Sequence, residues 1–433
     1  MGKLRIPTWA IGGIYHRLHA RRRMLKKLDQ AIVNAAVVCL DLCCDKALRL
    51  ERRVQHYYTQ TELVKPQESP WAKVKAARTD NGFLELTALT VAAFEMLHVR
   101  FDLALQSFWE AKLGFDRKKK GRPRTINSYD CLALVLCYYH TECSQSIMQL
   151  IFGISPAVCN RYLNDGRYVL NDVLRKVPQA RVKWPNATQM QEYASRISRA
   201  QPALIGCWGF VDGLNCSIEN PKDAFEQNAM YNQWLSGTFC SNVFVFDADG
   251  CIDWAKLNCP GSWHDSSVAD CLYDVLRYKV PEGFGIAADT AFSNSGDLKT
   301  KVFKPLKESQ LTAKVNSGLR VKALIKILRA HRAAVSVRQA AEWGMGAIQR
   351  TFKRLTCVLS ANHEHRQLDL MNVVFLFNFR TRVTHINQIK TVYGDGYLGR
   401  DPDRTTPWTM FNEKFWVNVR WVPSSVLFHV ISR

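Results

Sequence analysis

The patterning of apolar residues changes at Cys207, and this change limits the possible folds more than any other feature of the chain. From there on, four short apolar runs have the length and flanking turn residues of β-strands: Cys207–Val211, Ser241–Phe246, Cys251–Leu257 and Phe284–Ala288. An Asp-Gly pair between the second and third runs predicts a hairpin. Helical spacing follows at about residues 264–278 and 336–359. Strands followed by helix, strand and helix predict an α/β or α+β catalytic domain.

The region before the first strand is expected to be all-helical. Ser128–His140 and Ser144–Phe152 have helical apolar spacing, and another helix is predicted to begin at Pro156, after a turn that contains Gly153. A helix, a short turn with glycine and a second helix with polar and basic residues are typical of a helix-turn-helix, in which Arg161 would contact DNA. The same pattern fits an ordinary corner of a helical bundle, and both interpretations stay open.

Two further segments of the N-terminal half have simple patterns. A polar stretch with Pro66, Pro70 and Gly82 is predicted to be a linker or loop, because proline and glycine interrupt regular structure. Leu84–Leu113, which follows it, has the apolar spacing of a helix.

The charge of the chain favours a polyanionic partner. Lys and Arg number 59 against 38 Asp and Glu, which gives a formal net charge of +21. The longest apolar stretch, Ala31–Cys44, is interrupted by Asn34 and Asp41 and is shorter than the ~20 residues that a membrane-spanning helix needs. DNA is therefore the expected partner, and no membrane is expected.

Two basic clusters bear on DNA binding and location. Residues 1–27 carry eight Lys and Arg and no acid, and they fit a nuclear import signal, a DNA-phosphate arm or a mitochondrial transit segment. Residues 117–124 contain a Gly-Arg-Pro core that resembles an AT-hook, which inserts arginine into a narrow minor groove. This interpretation assigns DNA contacts to Lys120, Arg122 and Arg124. A solvated basic loop or an import signal explains the second cluster equally well, and the expected location is the nucleus.

The fourteen cysteines do not have the spacing of a metal or redox motif. No pair shows the two-residue gap of a zinc knuckle. Cys39, Cys43 and Cys44 cluster on one apolar segment, and Cys131 and Cys137 lie on another. We expect them to be buried thiols of a reducing compartment, the cytosol or the nucleus.

Three acids occupy positions from which a metal site can be built. Asp212 ends the first predicted strand and Asp289 the fourth, so adjacent strands would bring both carboxylates to one sheet edge. Glu342 borders the apolar stripe of the predicted long helix, and Arg338 lies one turn before it. Converging carboxylates suit Mg²⁺ or Mn²⁺, which can activate water and stabilise the leaving oxygen of a phosphodiester. Taken singly, Asp212 also fits a turn residue and Asp289 a strand-end cap.

The other acids after Asp289 fit structural roles better than catalysis. Asp297 falls in a predicted loop, and Glu308 lies between lysines, where a solvated ion pair is expected. Glu364 is placed in a loop after the long helix, and Asp369 in the first turn of the next helix, where the helix dipole favours an acid. Glu342 is therefore the predicted third carboxylate.

Four local motifs together resemble the PIF/Harbinger transposases and their domesticated nuclease relatives over about residues 207–390. They are Phe210-Val211-Asp212-Gly213, the segment Pro260–Ser266, the segment Ala288–Phe292, and Arg338-x-x-x-Glu342 followed by Phe352-Lys353-Arg354-Leu355. The resemblance implies an RNase H-like fold with a mixed sheet flanked by helices, a divalent metal ion, and the cutting and joining of DNA. It also implies a Myb-like DNA-binding partner and a homo-oligomer on paired element ends.

The resemblance further implies that Asp265 is a fourth acidic position of the site, with His264 and Arg338 in support. From the residues alone, Asp265 lies where a helix begins and also fits an N-cap. One departure from the family concerns spacing, because the 53 residues between Asp289 and Glu342 exceed what the family leads us to expect. Lys299–Arg332 holds the excess and has the composition of a basic insertion.

The sequence thus predicts five segments. They are a basic helical region at 1–115, an AT-hook-like linker at 116–127, a helical region with the possible helix-turn-helix at 128–200, an RNase H-like nuclease domain at 201–390 and a C-terminal tail at 391–433. The predicted function is that of a metal-dependent DNA endonuclease and transposase, with a domesticated, catalytically silent DNA-binding protein as the alternative. Residues 244–250 also resemble the nucleophile strand of dehalogenase-type phosphatases, but a hairpin turn already explains the Asp-Gly pair there.

Overall fold

The computed structural model describes residues 62–113, 124–317 and 319–394, together with scattered residues between 21 and 40. The chain divides into two compact units, Met1–Glu62 and Leu63–Arg433, and the fold below is that of the second unit. The predictions for residues 1–27, for Lys120 and Arg122, and for residues 395–433 lie largely or wholly outside the described residues. The five-segment division stays a prediction.

Seven helices precede the sheet within the described part of the second unit. They are α1 (Pro70–Ala77), α2 (Asp80–Thr87), α3 (Val91–Leu113), α4 (Ser128–His140), α5 (Gln145–Phe152), α6 (Pro156–Lys176) and α7 (Ala187–Ala200), with short 3₁₀ turns at Pro66–Glu68 and Pro178–Ala180. The predicted helices α4 and α5 are confirmed, as is the start of α6 at Pro156. No single described helix is long and apolar enough to cross a membrane, although the bent pair α2 and α3 passes by length and composition.

The predicted linker around Pro66, Pro70 and Gly82 is wrong, because this stretch forms α1 and α2. Pro70 takes the first turn of α1, where a missing N–H costs nothing. The side chain of Ser69 caps the same helix by accepting the N–H of Ala72. Trp71 then packs edge-on against Phe83 of α2, with 5.5 Å between ring centroids. Tertiary packing of aromatic side chains thus stabilises two helices whose polar composition concealed them.

Helix α6 packs one face into the core, and this buries one of the basic residues of the predicted DNA-binding helix. Arg167 is buried and pairs with Asp369 at 2.6 Å, so it is not available to DNA. Arg161 remains exposed. The helix-turn-helix therefore stays a prediction that depends on the exposed residues of α6 alone.

The sheet is mixed, as the resemblance implied. Its described strands are β1 (Cys207–Ser217), β2 (Tyr231–Asn232), β3 (Gly237–Asp247), β4 (Ile252–Pro260), β5 (Gly285–Ala287) and β6 (Val302–Phe303). They follow the order β2-β3-β1-β5-β6, with β4 also paired to β3. β3 lies antiparallel to β1, β2 and β4, whereas β5 lies parallel to β1 and β6. The β3–β4 pairing confirms the predicted hairpin, in which Gly250 adopts a positive φ of 78°.

Strand β1 is longer than predicted, so Asp212 lies within the strand and not at its end. All positions from Gly209 to Ser217 pair with β3. In the second half of β1, polar residues alternate with the buried Leu214 and Cys216. This alternation is typical of a half-buried strand, and the predicted strand, which was based on a continuous apolar run, ended before it. The strand therefore continues beyond the candidate acid.

Seven further helices are described from the loop after β1 to the end of the described chain. They are α8 (Ala224–Met230), α9 (Asp265–Val268), α10 (Asp270–Lys279), α11 (Glu308–Asn316), α12 (Val321–Thr351), α13 (His363–Thr384) and α14 (Gln388–Tyr393), with 3₁₀ turns at Gly296–Thr300 and Lys353–Thr356. The helix predicted at 264–278 is two helices, broken at Ala269. The long helix begins at Val321 instead of Ser336 and ends at Thr351 instead of Leu359.

The segment Lys299–Arg332 is more than an insertion. It contributes β6, whose Val302 and Phe303 pair with β5, and it contains α11 and the start of α12. The placement of two acids is also corrected. Glu364 lies in the first turn of α13, and Asp369 is buried further along the same helix, where it accepts the Tyr139 hydroxyl at 2.8 Å. Neither acid is in the setting predicted for it, because α13 begins at His363.

The cysteine prediction is confirmed in part. Cys131 and Cys137 are fully buried in α4. Cys39 is exposed, and Cys43 and Cys44 lie outside the described residues.

Candidate active site

Asp212 lies on β1, and Asp289 follows the neighbouring parallel strand β5 at the same level. Phe210 of β1 pairs with Ala287 of β5, and each acid follows its strand residue by two positions. The backbone N–H of Gly213 donates to Asp212 at 2.9 Å. The Asp289 carboxylate accepts the Thr290 hydroxyl at 2.8 Å and the N–H of Ala291 at 3.0 Å. Local hydrogen bonds thus orient the carboxylate within β1 and the carboxylate just after the end of β5.

Asp265 lies directly against Gly213, the residue after Asp212. A Cβ atom added to Gly213 would meet Oδ1, Cγ and Oδ2 of Asp265 at 2.5, 2.6 and 2.7 Å. Only glycine leaves room for this carboxylate beside β1. Asp265 is the first residue of α9, and the N-cap is His264, which makes no side-chain capping bond. The alternative reading of Asp265 as the N-cap is therefore wrong.

Glu342 lies on α12, which packs closely against the sheet. A Cβ atom added to Gly344 would meet the ring of Phe246 on β3 at 2.9 Å, so a glycine permits the close approach of helix and strand. The predicted apolar stripe is confirmed, since Ala341, Met345 and Ile348 are buried. The Glu342 side chain itself is 50% exposed, which places it at the border of the core.

Arg338 joins the helix to the sheet edge. Its guanidinium donates to Glu342 at 2.7 Å, as the helical spacing predicted, and also lies 3.6 Å from Asp289 Oδ2. The second contact crosses from α12 to the end of β5. Glu342 on the helix and Asp289 beside the sheet therefore both interact with the positive charge of Arg338.

The four acids are within electrostatic reach of one another. Burial, and to a smaller extent the carboxylates of Asp265, Asp289 and Glu342, raise the pKa of Asp212 to about 6, although the hydrogen bond from the Gly213 N–H lowers it. Burial and Asp289 also raise the pKa of Asp265, while the nearby His264 lowers it. Four segments that are distant in sequence thus place negative charge in one small region of the fold.

The chemistry of this donor set fits a divalent cation. Its four acids are all oxygen donors, which Mg²⁺ and Mn²⁺ prefer, and the raised pKa of Asp212 reflects burial beside three other carboxylates. Within the described ranges, no three Asp, Glu, His or Cys side chains are close enough together to hold a metal ion. Arg338 instead spans the space between Asp289 and Glu342.

The two predicted DNA-binding residues that the structure describes, Arg124 and Arg161, lie elsewhere in the fold. The guanidinium of Arg124 stacks on Trp109 at 4.0 Å from the ring centroid, and that of Arg161 lies 5.3 Å from the Tyr162 ring. Their contacts are thus with the helical region and not with the four acids.

Sequence reasoning missed two contributors to the site. Gly213 determines where Asp265 lies, and its position after the first acid was the only available signal. Lys304 donates to the carbonyl of Phe292 at 2.8 Å; burial lowers its pKa, while the charge of Asp289 acts in the opposite direction. Nothing in the local pattern separates Lys304 from the other lysines around it.

The acids of the β3–β4 turn have structural partners. Asp247 accepts the N–H of Cys251 at 2.8 Å, and Asp249 pairs with Arg196 at 2.9 Å. The turn geometry explains the pattern that resembled a phosphatase strand.

Comparison with known families identifies the segment that holds the acids. Residues 211–378 match the family model of the DDE superfamily endonucleases. The match includes Asp212, Asp265, Asp289 and Glu342, and it covers less than half of the chain. No curated protein and no solved structure gave a significant match. The mixed sheet with flanking helices is compatible with the RNase H-like domain of DDE superfamily nucleases, which generally use divalent metal ions.

Proposed function

We propose that the chain is a divalent-metal-dependent DNA endonuclease of the transposase type and of the PIF/Harbinger subtype. It would hydrolyse phosphodiester bonds and join DNA strands during transposition. The observation that supports this most is the electrostatic coupling of Asp212 to Asp265, Asp289 and Glu342, which come from four separate segments of the matched region. A partly buried carboxylate whose pKa is raised by several neighbouring acids is typical of functional sites.

Each residue has a distinct task in this proposal. Asp212, Asp289 and Glu342 would hold the metal ion, and Asp265 would support them. When bound, Mg²⁺ or Mn²⁺ supplies an activated water and stabilises the leaving oxygen. The Gly213 N–H orients Asp212, and the Thr290 hydroxyl and Ala291 N–H orient Asp289.

Arg338 and His264 support the acids through their charge. Arg338 holds Glu342 and Asp289 against their mutual repulsion while no metal is bound. His264, the neighbour of Asp265 in sequence, lowers the pKa of the Asp265 carboxyl. Neither side chain needs to contact the substrate for this role.

Partners and location follow from the same proposal. DNA is the substrate, and the resemblance to PIF/Harbinger transposases supports a Myb-like DNA-binding partner and a homo-oligomer on paired DNA ends. Arg161 and the basic residues Lys120, Arg122 and Arg124 are proposed to add DNA contacts. The proposed location is the nucleus.

Nicking of supercoiled plasmid in Mn²⁺ tests the function directly. We expect the Glu342→Gln variant to lose nicking while it keeps DNA affinity, because the substitution removes a metal ligand without changing side-chain size. Glu308→Gln is the matched control, since Glu308 is an exposed first-turn acid of α11 and its loss should leave nicking intact.

The outcomes separate the rival functions. A wild-type protein that binds DNA and nicks nothing in Mn²⁺ or Mg²⁺ is a catalytically silent DNA-binding protein. If Glu308→Gln silences nicking and Glu342→Gln does not, the assignment of the third carboxylate is wrong.

A further inference from the structure

The proposed chemistry assigns no substrate contact to the most basic part of the matched region. The basic segment, residues 299–332, contains ten Lys and Arg and a single acid, Glu308. Two of the ten lysines and arginines serve the fold, because Lys301 donates to the carbonyls of Val280 and Pro281 and Lys304 donates to that of Phe292. The other eight are exposed. Within residues 62–113, 124–317 and 319–394, none of these eight forms a salt bridge.

The start of α12 extends beyond the core and carries part of this charge. The helix begins at Val321, yet its first buried residue is Ala333, so about three turns have no buried side chain. Lys322, Lys326 and Arg329 are exposed there. Their spacing of four and three residues places them on one side of the helix. A helix thus presents a row of exposed cations without salt-bridge partners among the described residues.

The same helix connects this row to the candidate active site. From Arg329 to Glu342 the helix rises roughly 20 Å, at about 1.5 Å per residue. That length corresponds to about six base pairs of duplex DNA, at roughly 3.4 Å each. A duplex cut beside Glu342 therefore has phosphates within reach of the row if it runs along the helix.

We propose that the basic segment, chiefly Lys322, Lys326 and Arg329, binds the phosphate backbone of the duplex that flanks the cut bond. The inference rests on the proposed function, because that function places the reacting bond at the Glu342 end of α12. Charge complementarity supports DNA as the occupant, since ten cations face one acid over 34 residues. Continuity of α12 with the acid site favours DNA over an anionic membrane, which would need no such alignment.

Salt-dependent binding of a 30-base-pair duplex tests the inference. The triple variant Lys322→Gln, Lys326→Gln and Arg329→Gln is compared with wild type by fluorescence anisotropy between 50 and 200 mM salt, in EDTA so that no cleavage occurs. Each phosphate contact contributes about 0.9 to the slope of log affinity against log salt. We therefore expect the slope to flatten by about 2.7, which reduces the affinity change over this salt range by roughly 40-fold.

The control is a second triple variant with the same loss of charge. Lys73→Gln, Lys176→Gln and Lys279→Gln remove three exposed lysines from α1, α6 and α10. We expect this variant to keep the wild-type slope, and both variants to keep the wild-type thermal midpoint. Equal slopes in the two triple variants would overturn the inference, because net charge alone would then explain binding. Unchanged DNA binding with weaker binding to phosphatidylserine vesicles would overturn it in favour of a membrane surface.

Plasmid nicking tests the proposed function independently of the salt dependence of DNA binding. Wild-type protein that does not nick plasmid in Mn²⁺ contradicts the endonuclease proposal, whatever the salt slopes are. Wild-type nicking with equal slopes in both triple variants contradicts only the role of the basic segment.

Discussion

At the scale of single residues, the missing side chain of Gly213 determines where Asp265 lies. The Asp265 carboxylate fills the space in which a Cβ atom of residue 213 would stand. Its contact with β1 keeps Asp265 beside Asp212, although 53 residues separate the two acids. A small change at Gly213 should therefore act on metal binding through Asp265.

We expect Gly213→Ala to lower the affinity for Mn²⁺ by roughly 10–100-fold, the range seen when the support of a metal ligand is lost. The added methyl group displaces the Asp265 carboxylate, which isothermal titration with Mn²⁺ reports without any cleavage assay. Gly346→Ala is the control, because its Cβ would meet only the flexible end of Arg350 at 2.8 Å. Wild-type Mn²⁺ affinity in both variants would contradict a role for Asp265 in the site.

At the scale of elements, a buried polar network holds α13 against the helical region. Arg167 of α6 pairs with Asp369 of α13, and Tyr139 of α4 donates to the same carboxylate. Asn171 also donates to Asn372 at 2.9 Å. Because both charged partners are buried, each depends on the other for compensation.

Removal of either Arg167 or Asp369 should therefore destabilise the folded protein. We expect Arg167→Ala to lower the free energy of unfolding by ~3–5 kcal/mol, the usual cost of an uncompensated buried charge. Lys176→Ala, on the same helix, breaks an exposed pair with Asp172 and should cost no more than ~0.5 kcal/mol. Denaturant unfolding of both variants measures the difference, and similar losses would mean that the buried pair does not stabilise this interface.

The β3–β4 hairpin contains two buried acids, and their burial makes the stability of the protein depend on pH. Asp247 and Asp253 are both buried, and Oδ2 of Asp253 accepts no hydrogen bond. Burial, and then the charge of Asp249, raise the pKa of Asp247 to about 7. The folded state therefore binds protons more tightly than the unfolded state between about pH 4 and 7, and stability falls as pH rises through this range.

We expect Asp253→Asn to raise the thermal midpoint at pH 8 by a few degrees and to change it less at pH 5. Asparagine cannot ionise, and its amide can donate to Asp247, so the cost that ionisation adds at high pH is removed. Scanning calorimetry at both pH values measures the effect. A larger gain at pH 5 than at pH 8 would reverse the sign expected from the raised pKa.

At the scale of the whole molecule, the excess of basic residues bears on where the protein works. The net charge of +21 suits a polyanionic partner, and residues 1–27 and 117–124 hold the densest basic clusters outside the basic segment. We expect a fluorescent fusion of the full chain to accumulate in the nucleus, where fluorescence microscopy can follow it. A fusion found only in mitochondria would instead support the transit-segment interpretation of residues 1–27.

The sequence by itself determined the features that depend on neighbouring residues. Helix α4, the start of α6 at Pro156 and the β3–β4 turn were predicted correctly, because capping residues, helical spacing and an Asp-Gly turn act over a few positions. The pairing of Arg338 with Glu342 belongs to the same group, since one helical turn separates them.

Only the tertiary structure decided the features that depend on distant partners. The extension of β1 past Asp212 needs pairing with β3, and the contact of Arg338 with Asp289 needs α12 packed against the sheet. The contact of Asp265 with Gly213 needs α9 to return to β1. No local pattern encodes these contacts, because their stability comes from burial and pairing between segments that meet only after folding.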